Sequence, residues 1–449
     1  MNTFPRIWHR LTPIQSLVIG FIFITMLFTL IFILPIASAK GTSRPFIDAL
    51  FVAASGISTT GLTPVDIGSY YSLFGQITLL VLIQIGGLGY MVFILLIALI
   101  LGHKPTLYTR VAFRESLAGI SLSDIKKMSF IVIAFTFLFE FLCALILTVY
   151  WTHKYPLSRA VYLGIFHAIS GFCTAGFGLF SNSMVSVADS FFANIVIDIT
   201  CFAGAIGFFV LYNLYSTSQQ KIKENKLLRL SLHSKVALTT SLSLMGIGAL
   251  VIFITEKGQP TLSIAQRLLN SFFQTISAST TTGYNTIDIG RMSITGLLVL
   301  VILMFIGASP GSTGGGIKTT TFCILLLSIK ATLSGGNEIH IFKRRIPVET
   351  LTKALVIGLT ASFLVVLDVL ILTFTERASF IQIVFEVASA FGNVGLSTGI
   401  TSNLTFIGKL VLFITMFIGR VGPLAIGFSL VGKPRGPKYR YSEESIFVG

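Results

Sequence analysis

The 449-residue chain is 53% hydrophobic and only 11% charged, roughly half the charged share of a soluble domain, and no polar stretch is long enough to form a separate soluble unit. Its 32 Lys and Arg exceed its 17 Asp and Glu, for a formal charge of +15. The basic residues lie between apolar runs and are not gathered in one patch, which argues against a nucleic-acid surface and leaves the excess as a topology signal.

Taken from the N-terminus, the main apolar runs cover 17–36, 74–101, 128–151, 191–214, 236–254, 294–306, 354–374 and 406–430; a membrane-crossing helix needs about 20 residues. The first run lacks a small-residue cleavage site followed by a soluble chain and reads as a retained helix, not a signal peptide. Between paired runs lie four short segments with one pattern: FVAASGISTTGL (51–62), FHAISGFCTAGF (166–177), FQTISASTTTGY (273–284) and FEVASAFGNVGL (385–396). Each anchors on a glycine, Gly61, Gly176, Gly283 and Gly395, spaced by 115, 107 and 112 residues. Ten residues before it stand Phe51, Phe166, Phe273 and Phe385, and six before it stand Ser55, Ser170, Ser277 and Ser389.

Repetition at this period decides the architecture. It predicts an all-α membrane protein of four tandem helix–re-entrant pore loop–helix repeats around one central pore, with eight membrane-spanning helices. Repeat A is expected over 14–101 with its pore loop at 47–66, and repeat B over 127–214 with its loop at 159–181. Repeat C is expected over 233–330 with its loop at 263–288, and repeat D over 350–432 with its loop at 379–400. Residues 1–13 and 433–449 form cytoplasmic tails. With eight crossings, 21 of the 32 basic residues fall on the side that holds both termini, so the N- and C-termini are expected in the cytoplasm of a multi-pass plasma-membrane protein. Cys143, Cys173, Cys201 and Cys323 lie in apolar or loop segments without metal-ligand spacing and are read as packing residues.

The chemistry expected of the loops follows from backbone rules. A half-helix entering from outside points its partly negative C-terminus at the membrane centre, which favours a cation there. The chain after it is non-helical at membrane depth, which is tolerated only beside an aqueous or ion-filled passage. Glycine lets carbonyls turn to an axis, and four loops then give rings of oxygens that replace a hydration shell. The candidate ligands are Thr59, Thr60, Gly61, Thr174, Ala175, Gly176, Thr281, Thr282, Gly283, Asn393, Val394 and Gly395. No carboxylate flanks the glycines, so a divalent-selective ring is not indicated. Asp66 and Asp288, each five residues past its glycine, are candidates for negative potential at the mouth. Val52, His167, Gln274 and Glu386 share one column nine residues before it and are expected behind the loops or facing outside water.

The stretch 293–330 is too long for one straight crossing and must break at 307–318, which holds Pro310 and glycines 307, 311, 314, 315 and 316. It is not a phosphate-binding loop, because Ile317 precedes Lys318 and a membrane helix precedes the segment. Arg420 lies 25 residues after Gly395 and the break begins 24 after Gly283, which puts both at one depth. A buried arginine needs a partner there. Gly307, Gly311, Gly314, Gly315, Gly316, Lys318 and Arg420 are therefore the candidate gate; the competing reading lets Arg420 snorkel to the interface. Glu140, Asp198 and Asp368 are read as helix-to-helix hydrogen-bonding groups. Gly86, Gly87, Gly89, Gly204, Gly207, Gly419 and Gly422 are read as close-packing positions.

The segments STTGL, CTAGFG, TTTGYN and GNVGLST, with GASPGSTGGGIKTT at 307–320, give the chain its resemblance to the Ktr/Trk/HKT superfamily of potassium transporters, and specifically to the Ktr-type membrane subunit. The resemblance implies potassium as the transported ion, with Gly61 in the position that sodium-preferring plant relatives fill with serine. Sodium dependence stays open. It further implies a homodimer surrounded by membrane lipid, and a cytosolic RCK/Rossmann-type regulatory subunit that alone carries nucleotide. Thr174-Ala175 and Asn393-Val394 depart from a strict fourfold filter. An alternating-access, sodium-coupled secondary transporter of a small solute is the rival reading; no HExxH, GxSxG or paired-Asp pattern points to an enzyme.

Overall fold

The computed structural model describes residues 13–89, 125–224, 230–256, 263–336 and 338–422, together with Glu444. Apart from Pro13 and Glu444, the expected tails 1–13 and 433–449 lie outside the described residues. So do the end of repeat A beyond 89, the end of repeat D beyond 422, and most of the basic loop 104–127.

Each repeat is built as a long first helix, a short middle helix and a third helix. The first helices are α1 (Pro13–Ile33), α4 (Ile125–Thr152), α8 (Leu232–Thr255) and α12 (Val348–Thr375). The middle helices are α2 (Phe46–Ile57), α5 (Leu157–Phe172), α9 (Ile264–Ser279) and α13 (Phe380–Gly392). The third helices are α3 (Leu73–Leu88), α6 (Phe191–Ala205), α10 (Ile294–Ile306) and α14 (Phe406–Val421). Repeats B and C continue past a break as α7 (Phe208–Glu224) and α11 (Thr319–Leu333). A two-residue hairpin, β1 (His340–Ile341) with β2 (Arg344–Arg345), precedes α12.

Local sequence sets these ends. Pro45 and Pro156 stand at the N-caps of α2 and α5, where a proline costs no helical hydrogen bond. Helix α9 starts with a capping box in which Ser263 Oγ accepts from the Gln266 N–H at 3.2 Å and Gln266 Oε1 accepts from the Ser263 N–H at 3.0 Å. All four third helices start on a hydroxyl cap, since Ser72, Ser190, Ser293 and Thr405 accept from the N–H three residues on. In repeats C and D the carboxylates of Glu256 and Glu376, at the ends of the first helices, accept from the backbone N–H of Ser293 at 3.0 Å and of Thr405 at 2.9 Å. That brackets the third helix to the first.

Among the described residues, the helices long and apolar enough to cross a membrane alone are Phe130–Thr152, Leu232–Thr255 and Val348–Thr375. The pair Phe191–Ala205 and Phe208–Lys221 qualifies as one span bent by 99°. Besides the break in repeat C, repeat B has one between α6 and α7 that sequence did not single out. All four third helices stop at a left-handed glycine: Gly89, Gly207, Gly307 and Gly422. Three of these were read from sequence as packing positions. An isolated glycine in an apolar run serves equally as a close contact or a C-cap, and only backbone geometry separates the two. Gly86, Gly204 and Gly419 are close contacts, each against the backbone carbonyl at the end of its own repeat's middle helix, at Ile57, Phe172 and Phe391, while Gly87 packs on Cys173 and Gly207, besides ending its helix, on the Pro310 carbonyl.

The repeats close into a ring in chain order. Helix α3 packs on α5, α6 on α9, α10 on α13, and the last helix, α14, returns to pack on α2. The recurring phenylalanines fill the seams. Phe51 of repeat A is buried with Val369, Leu372 and Leu412 of repeat D, and Phe385 of repeat D with Ile252, Leu297 and Leu300 of repeat C. The A–D seam also carries an ion pair between Lys409 Nζ and Asp48 Oδ1 at 2.7 Å, with both side chains largely buried.

Candidate functional site

Each middle helix ends in one backbone motif. The residue two before the recurring glycine is left-handed in every repeat: Thr59 (φ 54°), Thr174 (51°), Thr281 (59°) and Asn393 (53°). The N–H of the next residue then reaches back to the carbonyl of the recurring serine: Thr60 to Ser55, Ala175 to Ser170, Thr282 to Ser277 and Val394 to Ser389, at 2.8–2.9 Å. This is the Schellman arrangement that satisfies the orphan carbonyls of a helix end. The glycine that follows is left-handed again, at φ 92°, 64°, 88° and 93° for Gly61, Gly176, Gly283 and Gly395. A left-handed residue, one of ordinary hand and a left-handed glycine in succession turn neighbouring carbonyls to the same side. Three threonines and an asparagine hold a conformation that costs about 1–3 kcal/mol each outside glycine.

The four loops touch one another head to tail. A Cβ placed on Gly61 would collide with the carbonyl oxygen of Ala175, one on Gly176 with that of Thr282, one on Gly283 with that of Val394, and one on Gly395 with that of Thr60. The contacts run A to B, B to C, C to D and D back to A, so the loops form a closed ring of backbone. The serines brace it from behind. Ser170 and Ser277 donate to the carbonyls of Phe177 and Tyr284, each one residue past its glycine, at 2.9 and 2.6 Å, and Ser389 accepts from the Gly395 N–H at 3.0 Å. Ser55 Oγ is buried without a partner.

One face of the ring opens into a cavity of about 330 Å³ lined by all four glycines and by Asp66, Ser397 and Thr401. Asp66 caps the turn at Gly68 and accepts from Ser181 of repeat B. Asp288, its counterpart in repeat C, is exposed and paired with Arg291 at 3.2 Å. The column nine residues before the glycine is wholly buried. His167 meets the Leu163 carbonyl and accepts from the Leu179 N–H. Glu386 accepts from Ser397 and Thr401, and neither amide atom of Gln274 has a partner.

Against the other face lies the loop 307–318, which touches the left-handed residue of every repeat. Thr59 Oγ1 donates to the Thr313 carbonyl at 3.2 Å, and Thr174 Oγ1 to Thr313 Oγ1 at 3.0 Å. The Gly315 N–H donates to Thr281 Oγ1 at 3.2 Å, and a Cβ on Gly315 would meet Asn393. Repeat B grips the loop from the side. The Ser309 and Thr313 N–H groups donate to Ala205 and Gly204 at 3.0 and 3.2 Å, and the Phe208 N–H donates to the Gly311 carbonyl at 2.9 Å. Arg420 donates to the carbonyls of Thr313 and Gly86. Lys318 Nζ turns back on its own loop, to Gly314 and Gly315, and its backbone is left-handed at φ 81°.

Of the remaining singled-out groups, Cys173 directly precedes Thr174 of the ring, with its thiol on Glu140 and Gln84. Glu140 accepts from Gln84 Nε2 at 2.9 Å and Asp368 from Thr415 Oγ1 at 2.7 Å, while Asp198 is buried within α6. The four cysteines are free thiols, three of them buried. Sequence reasoning missed the hydroxyl caps of the third helices, the carboxylate brackets at Glu256 and Glu376, and the brace made by the recurring serine. Only the serine left a signal, as an invariant column.

Residues 12–431 match the family of cation transport proteins designated TrkH. The chain is 40% identical to the Ktr system potassium uptake protein B of Bacillus subtilis, over 98% of each. It is 36% identical to the potassium/sodium uptake protein NtpJ of Enterococcus hirae, over 99% of each. The fold is also that of the potassium transporter TrkH from Vibrio parahaemolyticus, with a TM-score of 0.67 at 20% identity, over 92% of this chain and 84% of that one.

Proposed function

The chain belongs to the TrkH family of cation transport proteins, a multi-pass membrane protein, and from that premise we propose that it takes up potassium across the plasma membrane through the ring of four loops. The observation that carries this reading is the closed head-to-tail contact of the four glycines with their neighbours' carbonyls. Four helix C-termini lead into the ring and place negative ends of their dipoles beside it. Carbonyls at Thr59 to Gly61, Thr174 to Gly176, Thr281 to Gly283 and Asn393 to Gly395 supply the oxygens that replace a cation's water. The relatives named for potassium, and for potassium with sodium, support this ion class and leave sodium as the second candidate. The alternating-access reading gains no support, because the four repeats close on one ring in chain order.

The loop 307–318 acts in this reading as the gate. It lies across the ring's inner face, in contact with all four repeats, with Arg420 as its clasp. The Ktr relatives are named as parts of a system, which supports a partner component; the reading takes it to be a cytosolic nucleotide-binding subunit docked on the polar loops 104–127, 221–235 and 330–353 of a homodimer. Both termini are then cytoplasmic. Expression in a strain stripped of its own potassium uptake systems, with and without such a subunit, tests the proposal. Growth at low potassium is expected; no growth from correctly inserted protein in either arm contradicts it.

A further inference from the structure

Where the third helix of one repeat meets the middle helix of the next, equivalent positions face each other at every seam. Gln76, Asn194, Leu297 and Lys409 each stand four residues after the hydroxyl cap of their helix. Lys409 pairs with Asp48 at 2.7 Å across the D–A seam, and Gln76 Oε1 accepts from the Tyr162 hydroxyl at 2.7 Å across the A–B seam. Leu297 and Ile381 belong to one apolar cluster across the C–D seam. In the B–C seam the places fall to Asn194 and to Asn270, which stands 13 residues before its glycine, as Asp48 does.

There the pairing is incomplete. The Asn194 amide is oriented by its nitrogen, which donates to the carbonyls of Val187 and Ser190 at 2.9 and 2.7 Å. Its oxygen therefore faces away from them, and it is buried without a partner. The Asn270 side-chain oxygen is likewise buried and unpartnered. One turn on from Asn194, the buried carboxylate of Asp198 receives from no described residue the helix-to-helix hydrogen bond expected of it.

The two helices run side by side. Gln266 Nε2, at the start of α9, donates at 3.1 Å to Asp189 Oδ1, just before α6, and near their other ends the Cys201 thiol reaches Thr282. Asn194 and Asp198 share the flank of Cys201, whereas Thr200, on the opposite flank, meets Cys143 of its own repeat's first helix. A carboxylate and two amide oxygens thus lie in one buried seam with their acceptor capacity unused. A buried charge calls for a counter-charge. Oxygen ligands without thiolate or imidazole suit a hard cation, and one carboxylate balances a single positive charge. Asn with Asn is also shorter than Lys with Asp or Tyr with Gln, a difference that a bridging ion spans.

We propose that Asn194, Asp198 and Asn270 form a binding site for a monovalent alkali cation between α6 and α9. The ion does for repeats B and C what the Lys409 ammonium does for repeats D and A. Its occupancy steadies the seam in which Gly176 meets the Thr282 carbonyl. The site lies behind the ring and does not depend on the ring being the ion path.

Thermal unfolding of the full-length protein in detergent tests it, in sodium, potassium or choline chloride at equal ionic strength. The quantity read is the rise in melting temperature over choline, in the parent and in Asp198→Asn. The parent's rise should exceed the variant's by about 5 °C at a hundredfold excess over half-saturation. The salt in which the excess appears identifies the ion. In choline the variant should be no less stable than the parent, because its buried charge is gone. If Asp198→Asn does not fold, Asn194→Lys decides: its ammonium takes the ion's place, so the same part of the rise should vanish. Equal rises in parent and variant, in both alkali salts, overturn the proposal and leave Asn194 and Asn270 as a plain amide contact. Gly283→Ser, read alongside, removes any stabilisation that arises from the ring and should leave the excess intact.

Discussion

Arg420, near the end of the last described helix, donates to the carbonyl of Thr313 in the loop of repeat C and to the carbonyl of Gly86 in the third helix of repeat A. One guanidinium thus ties three repeats together at the face of the ring that carries the loop 307–318, with Thr313 in turn bonded to Thr59 and Thr174. Each of these carbonyls has a second lone pair beyond its bond from Thr59 Oγ1 or from the Gly89 N–H, and a buried cation has no water, so each satisfies the other.

Replacing Arg420 by alanine is expected to raise potassium flux through the protein in liposomes and to weaken its dependence on any regulatory subunit. At ~4 Å and an effective dielectric near 20, the charge opposes a passing cation by roughly 4 kcal/mol, so the gain in leak is on the order of a hundredfold or more. Rubidium-over-sodium preference should stay as in the parent, since the side chain touches none of the four glycines.

Shortening 311–316 should act in the same direction by a different route. The loop's backbone bonds to Gly204, Ala205 and Phe208 hold it against repeat B, and shortening the span removes those that Thr313 makes to Gly204 and Phe208 makes to Gly311, leaving only Ser309 on Ala205. Stopped-flow or isotope flux from vesicles reads the effect. A folded, dimeric variant that conducts no faster than the parent would exclude the loop as gate.

The recurring serine separates by repeat. Ser277→Ala deletes the hydrogen bond to the Tyr284 carbonyl and leaves that buried acceptor short of a donor, at a cost of about 1–3 kcal/mol, whereas Ser170→Ala should cost less, because the Phe177 carbonyl keeps the Tyr284 hydroxyl at 3.2 Å. Ser55→Ala should be near neutral, because Ser55 Oγ already lacks a partner. Thermal unfolding in detergent with potassium present ranks the three.

That serine shows where the sequence could and could not be read. Its column is visible in the one-dimensional pattern, as are the phenylalanines and glycines, because repetition fixes their equivalence without any structure. The ring's order could not be read, since nothing in the sequence brings Lys409 to Asp48 or α14 to α2. The break at Gly207 and the helix ends at Gly89 and Gly422 were hidden for a different reason: each glycine sits in an apolar run where a helix-ending glycine and a packing glycine look alike. Repeat C gave itself away only because 293–330 is too long for the bilayer and holds Pro310.

The A–D junction is the one that covalent continuity does not help to close, and Lys409 with Asp48 spans it. Lys409→Met leaves Asp48 with only Arg44, at 3.1 Å, and should cost roughly 3 kcal/mol of stability. Asp48→Asn in the same chain should recover part of the loss, because the buried charge goes with its partner. A double-mutant cycle on thermal unfolding checks the coupling.

Competitive uptake of rubidium against sodium by the Gly61→Ser, Gly176→Ser, Gly283→Ser and Gly395→Ser variants bears most directly on the central claim. A Cβ at each position meets a neighbour's carbonyl and is strained by the left-handed backbone, so every variant must displace the ring. The account predicts a reduced preference for rubidium in each, largest at Gly283, which presses hardest on its neighbour's carbonyl, that of Val394. Unchanged preference in all four, at parental expression and fold, would mean that the cation does not pass through this ring.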